Sequence, residues 1–132
     1  GTGSGILAIA AEKFGATRVD AFDYDPRALP AARANLHRNR CTRITLTRRD
    51  LLKWRPTRRY PLVMANVFSE ILCAAAPQIV ATLKPEAYLI LSGILSSLEQ
   101  ETLATFTARG LQLEAANRRG KWVTLLLRAP GR

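Results

Sequence analysis

Histidine and cysteine are scarce in this chain, whose 132 residues include one His and two Cys. Cys41 and Cys73 have neither a metal-type spacing nor a disulfide framework, so we expect two plain thiols in a reducing compartment, the cytoplasm. His37 has no partner motif and lies in a stretch rich in Ala and Arg, which favours a surface residue over a base or a ligand. The sequence therefore predicts no metal site and no disulfide.

Long hydrophobic runs are also missing. No apolar run approaches the ~18 residues that a membrane span needs, and no signal peptide is recognisable. Hydrophobic residues make up 48% of the chain, without any low-complexity tract, and this length is enough to bury a core. We therefore expect one globular domain over residues 1–132 and no membrane partner.

Acidic residues are few, ten against twenty basic ones, which gives a net charge of +10. Nine basic residues lie between Arg38 and Arg59, where Asp50 is the single acid. Such a stretch can bind nucleic acid or a ribonucleoprotein. However, no aromatic residues interleave with it as in a base-stacking surface, and an Arg excess can reflect genome composition. We favour a solvated face, with a dedicated nucleic-acid-binding patch as the alternative.

Strand and helix patterns alternate along the chain. Helices are predicted at residues 6–14, 26–39, 69–83 and 98–109, and strands at residues 18–22, 43–47, 61–65, 87–92, 111–116 and 121–128. Asp25 is the predicted N-cap of the second helix, and Pro77 is expected to bend the third. The strand at residues 61–65 is wholly apolar, as in a sheet covered on both faces. The short turn at residues 118–120 requires an antiparallel hairpin, so the predicted fold class is α/β, a doubly wound, mostly parallel sheet ending in that hairpin.

A glycine-rich turn, Gly1-Thr2-Gly3-Ser4-Gly5, leads into the first helix, and Asp23 follows about 20 residues later at the tip of a strand. Glycines let backbone N–H groups approach a ligand closely, and this carboxylate can accept hydrogen bonds from both hydroxyls of a ribose. A dinucleotide fingerprint needs a third glycine where this chain has Ile6. The spacing G-x-G-x-G instead resembles the S-adenosylmethionine (SAM) loop of class I methyltransferases, whose Rossmann-like sheet also ends in an antiparallel hairpin. Cofactor contacts are predicted for the loop residues Gly1, Thr2, Gly3 and Gly5 and for Asp23.

Loops of this kind follow a strand, but Gly1 lies where a first strand should already have ended. We therefore expect the first strand to be missing from this chain, which makes the methyltransferase domain N-terminally incomplete. That strand should lie at the centre of the sheet, between the strands at residues 18–22 and 61–65.

Asp50 follows a predicted strand, at the edge where open α/β sheets bind their ligands. There it can accept a hydrogen bond from an adenine amino group, with Leu51 or Leu52 against the ring. Alternatively, Asp50 is a surface acid neutralised by Arg48 and Arg49. The sequence leaves both interpretations open.

Asn66 ends the apolar strand at residues 61–65. Methyl transfer is an in-line displacement at a sulfonium, so the enzyme needs positioning more than acid–base chemistry. The Asn66 carboxamide can accept from a nucleophilic amine and direct its lone pair at the methyl group. A lysine nucleophile must first lose a proton, and a nearby sulfonium cation together with desolvation lowers the pKa of its ammonium. We predict a catalytic and cofactor-binding role for Asn66, with an ordinary turn residue as the alternative.

Five segments carry a closer resemblance: residues 1–11, 23–26, 65–67, 91–95 and 120–123. Together they resemble the bacterial lysine methyltransferase family of ribosomal protein L11, over essentially the whole chain. The first two segments are shared with many SAM enzymes, whereas Ser92-Gly93-Ile94-Leu95 is more particular to this family.

The resemblance implies a cytoplasmic enzyme that transfers methyl groups from SAM to amino groups of this large-subunit ribosomal protein. By the family's pattern, Gly1, Asp23 and Asn66 contact the cofactor, and Asn66 also lies near the incoming amine. The chain departs from the family at Glu86-Ala87, where members usually carry Gly-Gly. The upstream threonine of the cofactor site and the small N-terminal domain that recognises the ribosomal substrate are absent from this chain.

Two alternatives remain beside a protein lysine methyltransferase. The basic stretch favours a nucleic-acid (RNA) methyltransferase, but enzymes acting on exocyclic amines of bases usually continue with Pro-Pro and an aromatic residue, and here Val67-Phe68 follows Asn66. The other alternative is a non-catalytic methyltransferase-fold module that binds RNA or a ribosomal partner.

Overall fold

The computed structural model describes residues 1–131, which fall into two compact units, Gly1–Lys53 and the chain from Trp54 onward. The helices are α1 (Ile6–Lys13), α2 (Ala28–Arg38), α3 (Ser69–Ala74), α4 (Ala76–Ala81) and α5 (Glu99–Thr107). The strands are β1 (Val19–Asp23), β2 (Ile44–Arg48), β3 (Tyr60–Asn66), β4 (Leu83–Leu95), β5 (Gln112–Arg119) and β6 (Trp122–Arg128). Within residues 1–131, every helix is too short or too polar to cross a bilayer.

The first unit holds a parallel pair of strands, β1 and β2, in which Asp23 lies opposite Arg48. Helix α2 begins two residues later than its sequence predicts. The Asp25 carboxylate accepts the N–H of Arg27 at 2.9 Å, so it closes a turn before the helix and does not cap its first turn; the prediction of an Asp25 N-cap is wrong in this detail.

Glu12 of α1 is buried and anchors the segment before β2, because its carboxylate accepts the backbone N–H groups of Thr42 and Arg43. Burial alone would raise the pKa of Glu12. The hydrogen bonds from Arg43, from the Cys41 thiol and from Thr42 outweigh it and hold this pKa below its ordinary value. The ionised carboxylate therefore stabilises the first unit.

Replacing Glu12 with glutamine is expected to lower the free energy of unfolding at pH 7. Because the pKa is lower in the folded state, the stabilisation is present above the unfolded value of about 4.3 and is lost as the pH falls through the folded value. Urea unfolding of both proteins at a series of pH values below 7 measures this, and the difference between the two stabilities should shrink as the pH falls. Glu114→Gln, at an exposed position, should leave the free energy of unfolding unchanged at every pH. If Glu12→Gln and Glu114→Gln changed the stability equally, the prediction would be contradicted.

The second unit contains a four-stranded sheet in the order β3–β4–β6–β5. Strands β3 and β4 are parallel, and the other neighbours are antiparallel, so the predicted parallel sheet with a terminal antiparallel hairpin is confirmed. Leu89, Leu91 and Leu125 are fully buried in the core of this unit. β3 is one of the two edge strands of this sheet. Pro61 and Leu62 are exposed, whereas residues 63–65 are half-buried, so the expectation that this strand is covered on both faces is wrong at its start.

The predicted helix at residues 69–83 is divided into α3 and α4. Ala75 separates them with φ −93° and ψ 4°, and Pro77 is the second residue of α4. A proline inside a continuous helix loses a backbone hydrogen bond and clashes with the carbonyl four residues earlier. The chain avoids this by ending one helix and starting another, so the predicted single helix is wrong and the interruption lies two residues before Pro77.

Glu86 adopts a left-handed backbone conformation, with φ +61°. It occurs within β4, at one of the two positions where the family usually has glycine. A side chain in this conformation costs roughly 1–2 kcal/mol. Arg128 offsets part of this cost through an exposed ion pair with Glu86, with an N–O distance of 3.3 Å.

Replacing Glu86 with glycine should therefore raise the free energy of unfolding, by roughly 0.5 kcal/mol once the greater freedom of glycine in the unfolded chain is included. Thermal and urea unfolding measure the change. Ala87→Gly is the matched control: Ala87 is buried without a positive φ, so this substitution should destabilise. A loss of stability in Glu86→Gly would contradict the prediction.

Candidate functional site

The glycine-rich turn is fastened to the carboxyl end of β1. The Gly1 amino group and the Thr2 backbone N–H both donate to the Phe22 carbonyl, at 3.0 and 2.9 Å. Gly3 donates its N–H to Asp23 Oδ2 at 2.8 Å. The structure therefore brings the predicted loop and the predicted ribose acceptor into direct contact, in a half-buried position.

Two glycines of this turn have positive φ angles for different reasons. Gly3 (φ +54°) faces open space, since a Cβ built there meets no atom within 4 Å. Gly5 (φ +84°) packs against α2, where a Cβ would lie 3.1 Å from Leu36 Cδ1. The same helix holds the loop through Asn35, whose Nδ2 donates to the Ser4 carbonyl at 2.9 Å. Gly3 thus leaves room for a ligand, and Gly5 sets the path of the chain into α1.

Asp50 lies at the same end of the two-stranded sheet as Asp23. The Asp23 carbonyl accepts the N–H of Arg49 at 3.1 Å, and Asp50 Oδ1 accepts the N–H of Leu52 at 3.0 Å. The Leu52 side chain is 46% exposed, as a residue that packs on a ligand ring must be before the ligand binds. The carboxylate retains acceptor capacity.

The two arginines next to Asp50 have other partners. Arg48 Nε donates to the Tyr24 carbonyl at 3.1 Å, and its guanidinium lies 5.6 Å from the centre of the Tyr24 ring. Arg49 Nε lies 3.3 Å from Thr47 Oγ1. In residues 1–131 neither arginine forms an ion pair with Asp50. The alternative in which both arginines neutralise Asp50 therefore has no direct contact behind it, and the adenine contact of Asp50 stays a prediction.

Asn66 is the last residue of β3 and pairs with Ser92 of β4. Its side chain lies against Gly93, where a Cβ would come within 2.7 Å of Asn66 Oδ1 and 3.1 Å of the Val67 carbonyl. Gly93 has φ +78° and marks a register shift between β4 and β6. The carboxamide can therefore occupy this position only because residue 93 is a glycine and has no side chain.

Replacing Gly93 with alanine should displace the Asn66 carboxamide and lower kcat for the predicted methyl transfer by roughly tenfold or more. The left-handed backbone should also cost roughly 1–2 kcal/mol of stability. Gly120→Ala separates the two effects, because Gly120 also has a positive φ (+59°) but no atom within 4 Å of a built Cβ. Turnover assays and urea unfolding of both variants measure this. A fall in kcat equal to that of Gly120→Ala would contradict the proposed displacement.

The chain matches the family model of ribosomal protein L11 methyltransferases (PrmA) over residues 1–130. The chain belongs to this family. Membership confirms the predicted family and class I methyltransferase fold.

Two relatives from the same family illustrate the relationship. The ribosomal protein L11 methyltransferase of Pelobacter propionicus is 39% identical over 132 residues, which is all of this chain and 42% of that protein. The crystal structure of a ribosomal protein L11 methylase from Lactobacillus delbrueckii subsp. bulgaricus superposes with a TM-score of 0.92 at 33% identity, over 98% of this chain and 67% of that one. The chain spans less than half the length of the Pelobacter relative.

The first unit fits the cofactor of this SAM-dependent family. Each oxygen of the Asp23 carboxylate accepts one backbone N–H, from Gly3 and from Asp25. A carboxylate oxygen has two acceptor positions, so both keep one for a ribose hydroxyl. The prediction of SAM is confirmed at the level of the family, and the contacts of individual residues stay predictions.

Three further residues bear on the site although the sequence analysis gave them no role: Asn35, Tyr24 and Gly93. A single glycine at the end of an apolar strand is a recognised signal for a bulge or a close backbone approach, and it could have identified Gly93. No sequence signal distinguishes Asn35 from the other polar residues of α2.

His37 is exposed on α2, in agreement with the prediction of a surface residue. In residues 1–131, no group of three or more His, Cys, Asp or Glu side chains is placed to hold a metal ion.

Proposed function

We propose that the protein transfers methyl groups from SAM to lysine amino groups of ribosomal protein L11. The two described units would act as one methyltransferase domain, with the cofactor held by the first. The substrate places the reaction in the cytoplasm, where ribosomal proteins are synthesised.

The observation that carries this proposal is the pairing of the glycine turn with Asp23. The Gly3 N–H and the Asp25 N–H fix both carboxylate oxygens at 2.8 and 2.9 Å. Their remaining acceptor positions suit two adjacent hydroxyls, and the open space at Gly3 suits a ligand beside them. SAM, when bound, supplies an activated methyl group on a sulfonium.

Asn66 would orient the amine. Its Oδ1 is a neutral acceptor, so it can bind an amine N–H without stabilising the ammonium form as a carboxylate does. A deprotonated lysine held in this way keeps its lone pair for attack. Positioning of this kind is the principal contribution that an enzyme can make to an in-line displacement.

The experiment is a transfer assay with labelled SAM and the intact protein, offered ribosomal protein L11 and ribosomal RNA separately and together. RNA is the competing substrate because all nine basic residues between positions 38 and 59 are exposed: Arg38, Arg40, Arg43, Arg48, Arg49, Lys53, Arg55, Arg58 and Arg59. Mass spectrometry of the product then assigns the methylated amino groups.

Label on lysine side chains of L11, and none on RNA, is the expected result. Label on RNA alone would favour the RNA methyltransferase interpretation. Binding of L11 without any transfer would favour a non-catalytic module. If RNA accelerates transfer to L11 without becoming labelled, the basic stretch acts as a ribosomal RNA contact, and charge reversal at Arg58 and Arg59 should abolish the acceleration.

A further inference from the structure

Three neighbouring strands of the second unit each carry one polar side chain at the same level. Asn66 ends β3. Ser92 interrupts the apolar run of β4 between Ala87 and Leu95, and Thr124 interrupts that of β6 between Trp122 and Leu127. Ser92 and Thr124 are the aliphatic hydroxyls of these two mainly apolar stretches, and a half-buried hydroxyl needs a hydrogen-bond partner.

The strand register brings these three side chains together. Asn66 lies directly opposite Ser92. Thr124 Oγ1 donates to Ser92 Oγ at 3.5 Å across β4 and β6. Val123 and Leu125, on either side of Thr124, are fully buried on the opposite face. Asn66, Ser92 and Thr124 thus form a polar row, and both hydroxyl side chains are half-buried.

The chemistry of a primary amine accounts for a second acceptor beside Asn66. A deprotonated lysine amine has two N–H groups and one lone pair. With a single acceptor the amine can rotate about that hydrogen bond, and the lone pair is not held in one direction. A second acceptor fixes it, which is the kind of orientation that accelerates a displacement.

We propose that Ser92 is this second acceptor: its Oγ receives one N–H of the substrate amine while Asn66 Oδ1 receives the other. Thr124 is a positioning residue, since the hydrogen bond that it donates fixes one acceptor position of Ser92 Oγ and leaves the other for the amine. The inference rests on the proposed methylation of lysine.

The proposal predicts different effects on successive methylations. An unmodified amine presents two N–H groups, and a monomethylated amine presents only one, so Ser92 contributes most to the first transfer. Ser92→Ala should slow the first transfer by roughly fivefold to tenfold and the second transfer by less. Ser92→Thr keeps the hydroxyl and should restore much of the rate. Thr124→Val should give a smaller change in the same direction.

The experiment measures single-turnover rates of the intact wild-type protein and the variants on L11 in its unmodified and monomethylated forms. Ser97→Ala removes an exposed hydroxyl near the same end of β4 and should leave the ratio of the two rates unchanged. Calorimetry provides a readout besides activity: the affinity of Ser92→Ala for SAM should equal that of the wild type, because Ser92 would contact only the amine.

A change in the ratio of the two rates, with unchanged SAM affinity and with rescue by threonine, supports the proposal. An unchanged ratio in Ser92→Ala, with an active wild type, overturns it and leaves the second N–H to a backbone acceptor such as the Val67 carbonyl. Equal slowing of both transfers also overturns it, because it indicates a structural role. If the wild type transfers nothing to L11, the proposed function fails, and the assignment of Ser92 fails with it.

Discussion

Replacing Asp23 with alanine is expected to lower the affinity for SAM by roughly a hundredfold or more. The carboxylate is the proposed acceptor for both ribose hydroxyls, and the loss of such a charge-assisted pair costs on the order of 3 kcal/mol. Asp23→Asn keeps one acceptor oxygen and should fall between the alanine variant and the wild type. Calorimetric titration of the three proteins with SAM measures these differences.

The structure adds a second consequence of the same substitution. Asp23 also accepts the N–H groups of Gly3 and Asp25, so the alanine variant loses an anchor of the glycine turn as well as the ribose acceptor. We expect the variant to stay folded but with reduced stability. Asp25→Ala is the control, because the Asp25 side chain pairs only with Arg27 among the described contacts. Wild-type SAM affinity in folded Asp23→Ala would refute the ribose assignment.

Asn66→Ala should lower kcat by roughly a hundredfold or more, the scale expected when a positioning contact is lost. Its affinity for SAM should change less than that of Asp23→Ala, because the glycine turn and the ribose acceptor remain. Steady-state kinetics on L11 and calorimetry with SAM separate the two quantities. Wild-type turnover in this variant would mean that Asn66 is an ordinary turn residue.

Asn66→Asp tests the proposed reason for a neutral acceptor. A carboxylate stabilises the ammonium form of lysine, which has no lone pair for attack. Turnover should therefore be low near neutral pH and recover partly as the pH rises toward the free-lysine pKa of about 10.4. The measurement is a pH–rate profile of the wild type and both variants. A carboxylate acting as a base would instead give high turnover at neutral pH, and that result would contradict this mechanism.

Local patterns in the sequence predicted the parts of the fold that depend on neighbouring residues. The order of strands and helices, the end of the first helix near residue 14 and the hairpin of β5 and β6 follow from periodicity and turn chemistry. The pairing of the glycine turn with Asp23 was predictable because both lie at strand ends, where an α/β sheet places its ligand.

Features that depend on tertiary pairing were not predictable. The contact of Asn66 with Gly93 requires the register of β3 against β4, which side-chain packing sets between segments far apart in sequence. The break at Ala75 depends on where the chain relieves the conflict at Pro77, and periodicity does not reveal this. The left-handed conformation of Glu86 contradicts local propensity, since glutamate has no preference for a positive φ.

The connections within the four-stranded sheet also determine the order in which it can form. Two residues join β5 to β6, whereas about 26 residues separate Asn66 from its partner Ser92. Closing a long loop costs more entropy than closing a short one, and hairpins form within microseconds. A denatured chain that refolds should therefore form the hairpin first and the Asn66 end of the sheet last. On the ribosome the order is reversed, because β3 and β4 are synthesised before β6. The edge of β4 that pairs with β6 stays unpaired until β6 emerges.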